Sequence, residues 1–478
     1  MVCKQCWGLG VRHVQLVLIL CVFAVIHVFR VCPLMAIQLA KHEVQDSSSY
    51  HEDPFKNTVV NWDETDMAIL NDALYFVQPF AYFLGGWMSS KWNNKLILLG
   101  TVFLMALQCF SLPSIVRSRA EKVGWAAVMI MRLVVGIMQG VSEPICYQIM
   151  GRWTTVRDYC KASTLLVVGS MTGWLLIQGV IYFIGKSVMG WSSIFYTSGN
   201  IGVLWCVAWF TFGSKDFRDC FYISSEEKSY MVSYTSDLDN YGLGPKNEKR
   251  PPRWKKIFKS KDVYVLLVTS LMTQWAYSAI LLPRFVEAYY LNVYLRTDKD
   301  MFLETKSFFL FSIGIVTWLL IIGTVADKLV TQKKAISSHQ RKTCNSIGFW
   351  GQAVTMVCMG FVTTHSATVV WTIVMYLVVS FRSIGMEVAY LEMAPNYAGL
   401  IYGTIKSISL VPLTILVLVE DLSNISDLTK EEARSYLFTA ALMYYLANFI
   451  YCNGFNTKCQ EWNKATMAPT NKSISVFL

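Results

Sequence analysis

The feature that most constrains this chain is a series of long apolar runs. Twelve such runs lie at about 14–39, 67–89, 96–116, 124–150, 162–185, 191–213, 263–288, 306–326, 344–364, 367–393, 400–419 and 436–451. A helix needs about 20 mostly apolar residues to cross a bilayer, and in hydrocarbon the backbone must satisfy its own hydrogen bonds. Six runs, a long polar stretch and six more runs predict an all-α membrane protein with twelve transmembrane helices in two six-helix halves.

The composition argues against two other classes of protein. Charged residues make up 15% of the chain and hydrophobic residues 54%, with a mean hydropathy of +0.40. A soluble protein carries roughly a quarter charged residues, and a disordered chain has low hydrophobicity. In a soluble protein the formal net charge of +10 would suggest nucleic acid. Here the bilayer is the expected partner, and we expect no nucleic acid.

The distribution of Lys and Arg predicts the orientation of the helices. The central loop and the loop after the eighth run are basic, whereas the first loop, at about 41–66, is acidic. Since cytosolic loops carry the excess of Lys and Arg, both termini and the central loop are predicted to be cytosolic. The short loop with Arg117, Arg119 and Lys122 opposes this assignment, but the majority of the loops supports it. Asn424 begins a candidate glycosylation sequon in a predicted outer loop.

The runs also divide the chain into five predicted segments. These are a cytosolic N-terminus at 1–13, an N-terminal six-helix half at 14–213, a cytosolic central loop at 214–262, a C-terminal six-helix half at 263–454 and a cytosolic tail at 455–478. The tails carry no strong sorting signal. We therefore expect a multi-pass protein of the plasma membrane or of a lysosome-like vesicle membrane.

Polar residues inside the N-terminal runs are candidates for function, because ionisable groups are costly in hydrocarbon. Arg30 lies well inside the first run, with His27 three residues before it on the same helical face. Arg132 lies inside the fourth run, and Gln139 and Glu143 follow it at offsets of 7 and 11 residues. At about 3.6 residues per turn both offsets return to nearly the same face, so these three residues predict one polar stripe.

The two arginines favour an anion site. Two guanidiniums that face a cavity from different helices stay charged and can bind a carboxylate or phosphate through two hydrogen bonds. An acid nearby, such as Glu143, can carry a charge change linked to protons or sodium. The alternative is a structural ion pair, either between Arg132 and Glu143 or between Arg132 and an acid on another run. Gly136 and Gly140 have the spacing that lets two helices approach closely.

Other runs add further ionisable residues. Glu387 in the tenth run is interpreted either as a coupling acid or as the partner of a basic residue. Lys406 lies only six residues past the expected start of its helix, so its ammonium is also able to snorkel towards the interface. Asp72 lies one or two turns into the second run and is a third coupling candidate; Arg284 follows Pro283 in the seventh run.

The sequence indicates no enzyme. It contains no phosphate loop of the GxxxxGK[ST] type, no cluster of metal ligands and no nucleophile elbow. We therefore expect no catalytic residues, no cofactor and no metal.

Several blocks, in shared order and spacing, resemble solute carrier family 17 of the major facilitator superfamily, which includes sialin, the vesicular glutamate transporters and the type I phosphate transporters. The stretch from Arg132 to Pro144 is similar to the family's fourth-span pattern R-x-x-x-G-x-x-E-G-x-x-x-P. The other blocks are Trp62-Asp63 with Gly85-Gly86, Gly190 to Tyr196, Ser224 to Glu227 with Tyr230, Gly323 to Asp327, Arg341-Lys342 with Ile347 to Phe349, and Leu391 to Ala398. The similarity runs over about residues 14–462.

The resemblance implies two pseudo-symmetric halves with a site between them near the midplane. It implies an anion transporter, often driven by protons, sodium or membrane potential, with substrate-binding arginines at Arg30 and Arg132. It also implies a loop signature that gates the halves, kept at Asp327; the first copy, from Gly86 to Trp92 with Lys91, lacks its usual acid.

The departures from the family concern the site itself. The family's acidic residue seven after the fourth-span arginine is Gln139 here, and a histidine of some members is Asn71. Two asparagines before the tenth-span block become Glu387 and Ala389, and an asparagine of the eleventh span becomes Lys406. An amide can hydrogen-bond but cannot carry a charge change, so Glu143 or Glu387 took over the coupling role or the protein is uncoupled.

The sequence therefore predicts a transporter that moves a small organic or inorganic anion, such as a phosphate or carboxylate, by alternating access. Its substrate is expected between Arg30 and Arg132, with His27, Gln139 and Asn71 as further ligands. Coupling to protons, sodium or the membrane potential is one expectation; an uncoupled anion facilitator and a transport-deficient receptor or scaffold are the alternatives.

Overall fold

The computed structural model describes residues 10–45, 62, 64–116, 121–155, 158–184, 190–236, 254–281, 301–332, 338–362, 365–423, 430–456 and 459–463. Some predicted features lie outside these residues. They are the sequon at Asn424, the opposing basic residues Arg117 and Arg119, Arg284, most of the acidic first loop and part of the basic central loop.

The described chain is helical and contains no strand. The N-terminal half contains α1 (Val11–Gln45), α2 (Glu64–Lys91), α3 (Asn94–Val116), α4 (Glu121–Trp153), α5 (Tyr159–Ile184) and α6 (Ser192–Phe212). Two short helices follow, α7 (Ser225–Ser236) and α8 (Trp254–Ile257). The C-terminal half contains α9 (Lys261–Leu281), α10 (Met301–Gln332), α11 (Ser338–Phe361), α12 (His365–Met393), α13 (Ala398–Ser423) and α14 (Lys430–Gly454), with 3-10 turns at Pro395–Tyr397 and Glu461–Asn463.

The lengths of these helices suit a bilayer. All but α7 and α8 have between 21 and 35 residues, and a helix rises about 1.5 Å per residue, so each is long enough for a span. In the described residues six stretches also have the apolar composition of a span, at 11–33, 94–115, 124–153, 159–181, 370–393 and 395–418. Large apolar side chains such as Phe183, Leu204 and Phe210 point outward. The expectation of an all-α membrane fold is confirmed.

The helices form two groups that meet along a few pairs. Helices α1–α6 pack on one another, and α9–α14 do the same. Across the two groups, α2 and α4 lie against α13, and α5 lies against α10 and α12. We call the end of the bundle where α1 begins and α14 ends the terminal face. Because successive long helices alternate in direction, α2 and α4 end at this face and α13 begins there.

Glycines set the spacing of the helices within the N-terminal half. A Cβ added to Gly136 would lie 2.8 Å from Val77 Cγ2, and one added to Gly140 would lie 2.6 Å from Ala81 Cβ. The close approach that the Gly136–Gly140 spacing predicts is therefore present, between α4 and α2. It brings the polar stripe of α4 directly against α2.

A second glycine contact closes the two halves against each other at the terminal face. A Cβ on Gly403 of α13 would lie 2.8 Å from Gly86 Cα and would also collide with the carbonyl oxygen of Tyr82. A Cβ on Gly151 of α4 would lie 2.7 Å from the carbonyl oxygen of Pro395. Backbone meets backbone at these points, so larger side chains cannot be accommodated without separating the halves.

We expect Gly403→Ala to destabilise the protein by about 1–3 kcal/mol, because overpacking a tight contact forces the backbone to shift. The measurement is the thermal unfolding midpoint in detergent. Gly100→Ala is the matched control, since a Cβ there meets nothing within 4 Å. Equal midpoints for the two variants would show that the terminal face is not tightly closed.

Candidate functional site

Arg30 lies between the halves with few partners. Its Nη2 donates to the hydroxyl of Tyr75 at 2.7 Å, and its guanidinium carbon lies 5.3 Å from the centre of the Tyr75 ring. The side chain is partly exposed, and within the described part of the chain no carboxylate forms an ion pair with it. The remaining N–H donors of this guanidinium are available to a ligand.

Arg132 has a different environment. It is 2% exposed, and three backbone carbonyls accept from it: Leu70 from Nε at 3.0 Å, Arg30 from Nη1 at 2.7 Å and Asn71 from Nη2 at 3.1 Å. These contacts join α4 to α1 and α2 at the level of Arg30. The alternative of an ion pair between Arg132 and Glu143 is wrong, because both groups have other partners.

The other polar residues of the N-terminal half lie at the contact between α2 and α4. Gln139 is buried, and its Oε1 accepts from Gln78 Nε2 at 3.5 Å. Asn71 Nδ2 donates to Asp72 Oδ1 at 3.2 Å, and Asp72 is 3% exposed. The amide at position 139 therefore meets another amide and not a charged group.

His27 points towards α5. Its ring lies 6.0 Å from that of Trp174, and its Nε2 is buried without a hydrogen bond among the described residues. The structure thus brings His27 to the α1–α5 contact, where it packs beside an aromatic ring. Its role as a substrate ligand stays a prediction.

Two carboxylates bridge the halves through tyrosines. Glu143 of α4 accepts from Tyr82 of α2 at 2.6 Å and from Tyr402 of α13 at 3.1 Å. In the reverse sense, Glu387 of α12 accepts from Tyr147 of α4 at 3.0 Å. The rings of Tyr147 and Tyr402 stack with centres 3.8 Å apart. Each half thus supplies one carboxylate and one tyrosine to the other, and this set is called the tyrosine–carboxylate cluster.

Lys406 lies beside this cluster. Its Nζ is 6.0 Å from the centre of the Tyr402 ring, and its charged neighbours are Glu387, Arg382 and Glu143. The side chain is partly buried. Its ammonium lies at the contact between the halves, beside Tyr402 of the preceding turn, and the alternative that it snorkels stays a prediction.

The two residues assigned to the gating loop lie in different environments. Asp327 of α10 is 2% exposed and accepts from the backbone N–H groups of Cys160 at 3.1 Å and Lys161 at 3.0 Å. It therefore caps the N-terminus of α5 in the other half, where a negative charge is favoured. Lys91 is exposed, with its Nζ 4.4 Å from the centre of the Trp87 ring. The second copy of the loop signature thus binds the halves together.

Sequence reasoning missed the tyrosines and Arg382. Tyr147 lies four residues after Glu143, and Tyr402 lies four before Lys406, so each shares a helix face with a charged group. That spacing was the available signal. Arg382 precedes Glu387 by five residues inside the same run, and an ionisable group in an apolar run is itself a signal.

The described residues contain no group of three or more His, Cys, Asp or Glu that is close enough to hold a metal ion. The polar groups between the halves are instead amides, tyrosine hydroxyls, carboxylates and basic side chains. This set suits the binding of a charged organic or inorganic solute.

Comparison with solved structures shows the fold. The proton:xylose symporter XylE aligns with a TM-score of 0.65 at 14% identity, over 93% of this chain and 97% of that one. The human organic anion transporter MFSD10 aligns with a TM-score of 0.59 at 11% identity, over 92% and 99%. At these identities the likeness concerns architecture alone.

Comparison with other sequences shows the family. Residues 18–412 match the Major Facilitator Superfamily. Vesicular glutamate transporter 3 of Danio rerio is 24% identical over 409 residues, which are 84% of this chain and 66% of the relative. Vesicular glutamate transporter 2 of Homo sapiens is 22% identical over 407 residues, 84% and 67%. The chain spans about two thirds of the length of these curated relatives.

The helical architecture, the family match and the similar sequences all point to the same superfamily. The blocks that resemble solute carrier family 17 lie within the matched range. The chain belongs to the major facilitator superfamily, and within it the chain is similar to the vesicular glutamate transporters.

Proposed function

We propose that this protein moves a small organic or inorganic anion across a membrane by alternating access, and that Arg30 binds the anion. The observation that carries the proposal is the guanidinium of Arg30, which stands between the halves with one hydroxyl partner and, among the described residues, no carboxylate within ion-pair distance. A charge inside the helical bundle that has no ion-pair partner is costly. An anion would supply that counter-charge, and the planar guanidinium suits a carboxylate or phosphate.

The charge of the interface supports an anion over a cation. Arg30, Arg382 and Lys406 are basic, whereas Glu143 and Glu387 are the acidic groups on the same surface. Asp72 lies beside the buried Arg132 and balances it. The relatives named as vesicular glutamate transporters agree with this sign.

We assign Arg132 a positioning role. Its bonds to three carbonyls leave it less free than Arg30 to bind a ligand, and one of them holds the backbone of Arg30 itself. Gln139 and Asn71 line the same face of α2 and α4 and are the proposed neutral contacts of the anion.

Alternating access requires the terminal face to open. The contacts that must break are the Gly86–Gly403 approach, the Asp327 cap on α5 and the two tyrosine–carboxylate bonds that cross the halves. With these contacts made, access to Arg30 is expected from the opposite face. The basic loops predict that the terminal face lies in the cytosol, so we propose an outward or lumenal opening for this state, in a plasma or lysosome-like vesicle membrane.

We expect Arg30→Ala to reduce anion uptake by about 10- to 100-fold, because a hydrogen bond to a charged group contributes about 1.5–3 kcal/mol. The measurement is uptake of a panel of labelled anions into proteoliposomes, with a proton gradient, a sodium gradient, an imposed potential or none. Arg434→Ala is the matched control, since that exposed arginine bonds the carbonyl of Gly360 away from the interface. No uptake of any anion by folded wild-type protein would favour the receptor or scaffold.

Arg132→Ala is expected to act mainly on stability. It leaves three carbonyl acceptors without their donor, and an unsatisfied buried group costs about 1–3 kcal/mol. The unfolding midpoint should fall clearly, whereas that of Arg30→Ala should stay near wild type. Equal midpoints for Arg132→Ala and wild type, with uptake lost, would make Arg132 a direct ligand instead.

A further inference from the structure

Three charged residues on the interface are not used by the proposed anion site. Glu143 and Glu387 stand on opposite halves, each hydrogen-bonded by a tyrosine of the other half. Lys406 is the basic group beside both of them. Glu387 and Lys406 stand where the family pattern that the sequence resembles has asparagines, and Glu143 falls on a position that the pattern leaves open.

The two carboxylates cannot be left alone at this depth. A carboxylate in a low-dielectric site is costly unless it is paired, protonated or bound to a cation. Tyrosine hydroxyls donate one hydrogen bond each but carry no positive charge. In a carrier coupled to a cation, such a pair of acids would be neutralised by a proton or by Na⁺ from solution.

Lys406 supplies that charge from within the chain. Its ammonium lies over the Tyr402 ring, and Tyr402 itself bonds Glu143, so the ammonium, ring and carboxylate form one assembly. Among its charged neighbours are both carboxylates and one further cation, Arg382. Because the ammonium is covalently tethered, it cannot leave to either side of the membrane when the halves move.

The groups around Lys406 come from α2, α4, α12 and α13. They are Tyr82 from α2, Glu143 and Tyr147 from α4, Arg382, Glu387 and Tyr390 from α12, and Tyr402 from α13 itself. Helix α9 also packs on α13, and its Tyr277 has Arg382 among its charged neighbours. Only Glu143 and Glu387 in this set are acids that Lys406 can neutralise.

We propose that the ammonium of Lys406 is a built-in counter-cation for Glu143 and Glu387, in the place that a coupling proton or Na⁺ would otherwise occupy. This inference rests on the proposed anion transport. It makes that transport independent of proton and sodium gradients and driven by the anion's own gradient and the membrane potential. Glu143 and Glu387 then hold the halves together and carry no coupling ion.

The test removes the tethered charge and asks whether a cation from solution replaces it. Uptake is measured in proteoliposomes for wild type, Lys406→Met, which keeps the length of the side chain without its charge, and Lys406→Arg, which keeps the charge. Each is run at several pH values between about 5.5 and 7.5, and with or without Na⁺; each pH unit changes the proton concentration about tenfold. Lys215→Met is the control, because Lys215 pairs with Asp219 away from the interface.

We expect uptake by wild type, Lys406→Arg and Lys215→Met to vary less than about twofold across these conditions. Uptake by Lys406→Met should rise at least about tenfold with acid or with Na⁺. Either one neutralises Glu143 and Glu387 once the ammonium is absent. Wild-type uptake driven by a proton or sodium gradient would overturn the inference and leave the proposed transport intact. The absence of wild-type uptake would contradict the proposed transport itself.

A second measurement tests the inference in the case that Lys406→Met folds but does not transport. The unfolding midpoint of Lys406→Met is recorded against pH and Na⁺ concentration, beside wild type and Lys406→Arg. If Lys406 replaces a cation, acid or Na⁺ should stabilise Lys406→Met selectively, because two unneutralised carboxylates oppose folding. Equal responses of all three proteins would overturn the inference.

Discussion

The site depends on the three backbone carbonyls that Arg132 binds. Those bonds reach the Arg30 carbonyl of α1 and the Leu70 and Asn71 carbonyls of α2, so one buried guanidinium joins α4 to both helices at the same depth. A charge in hydrocarbon is stable only where it is fully hydrogen-bonded. Because the bond to the Arg30 carbonyl is part of this arrangement, the position of Arg30 follows from the burial of Arg132. Arg132 therefore holds the helices in place, and Arg30 keeps N–H donors available for a ligand.

The contact between the halves has two physical parts. At the terminal face, glycines allow backbone to meet backbone, and Asp327 caps a helix of the other half. Deeper in the bundle, the tyrosine–carboxylate cluster replaces tight packing with directed hydrogen bonds and one stacked ring pair. Hydrogen bonds to carboxylates are strong in a dry interface but can be exchanged for water as it opens. The two halves are therefore held together by contacts that can break when the interface opens.

Much of this arrangement could be predicted from the sequence. The apolar runs predicted the helices, because a backbone in a bilayer must satisfy its own hydrogen bonds. Offsets of 7 and 11 residues predicted that Arg132, Gln139 and Glu143 share one helix face. The partners of those residues could not be predicted in the same way. Whether a guanidinium meets a carboxylate or a carbonyl depends on how deeply neighbouring helices approach, which is decided by small side chains on both. Tyr402 and Glu143 meet only because α13 crosses α4, a contact between residues 259 positions apart.

The central claim is that two helical groups move against each other around an anion held at Arg30. The most direct test is single-molecule fluorescence energy transfer between encoded labels at Lys91 of α2 and Lys328 of α10, exposed residues of the two halves near the terminal face. A pair at Lys91 and Lys215, within the N-terminal half, serves as the reference. With a transported anion present, the distance between halves should alternate between a short and a longer value while the reference distance stays fixed. A single unchanging distance between the halves, under conditions in which the anion is taken up, would contradict this account.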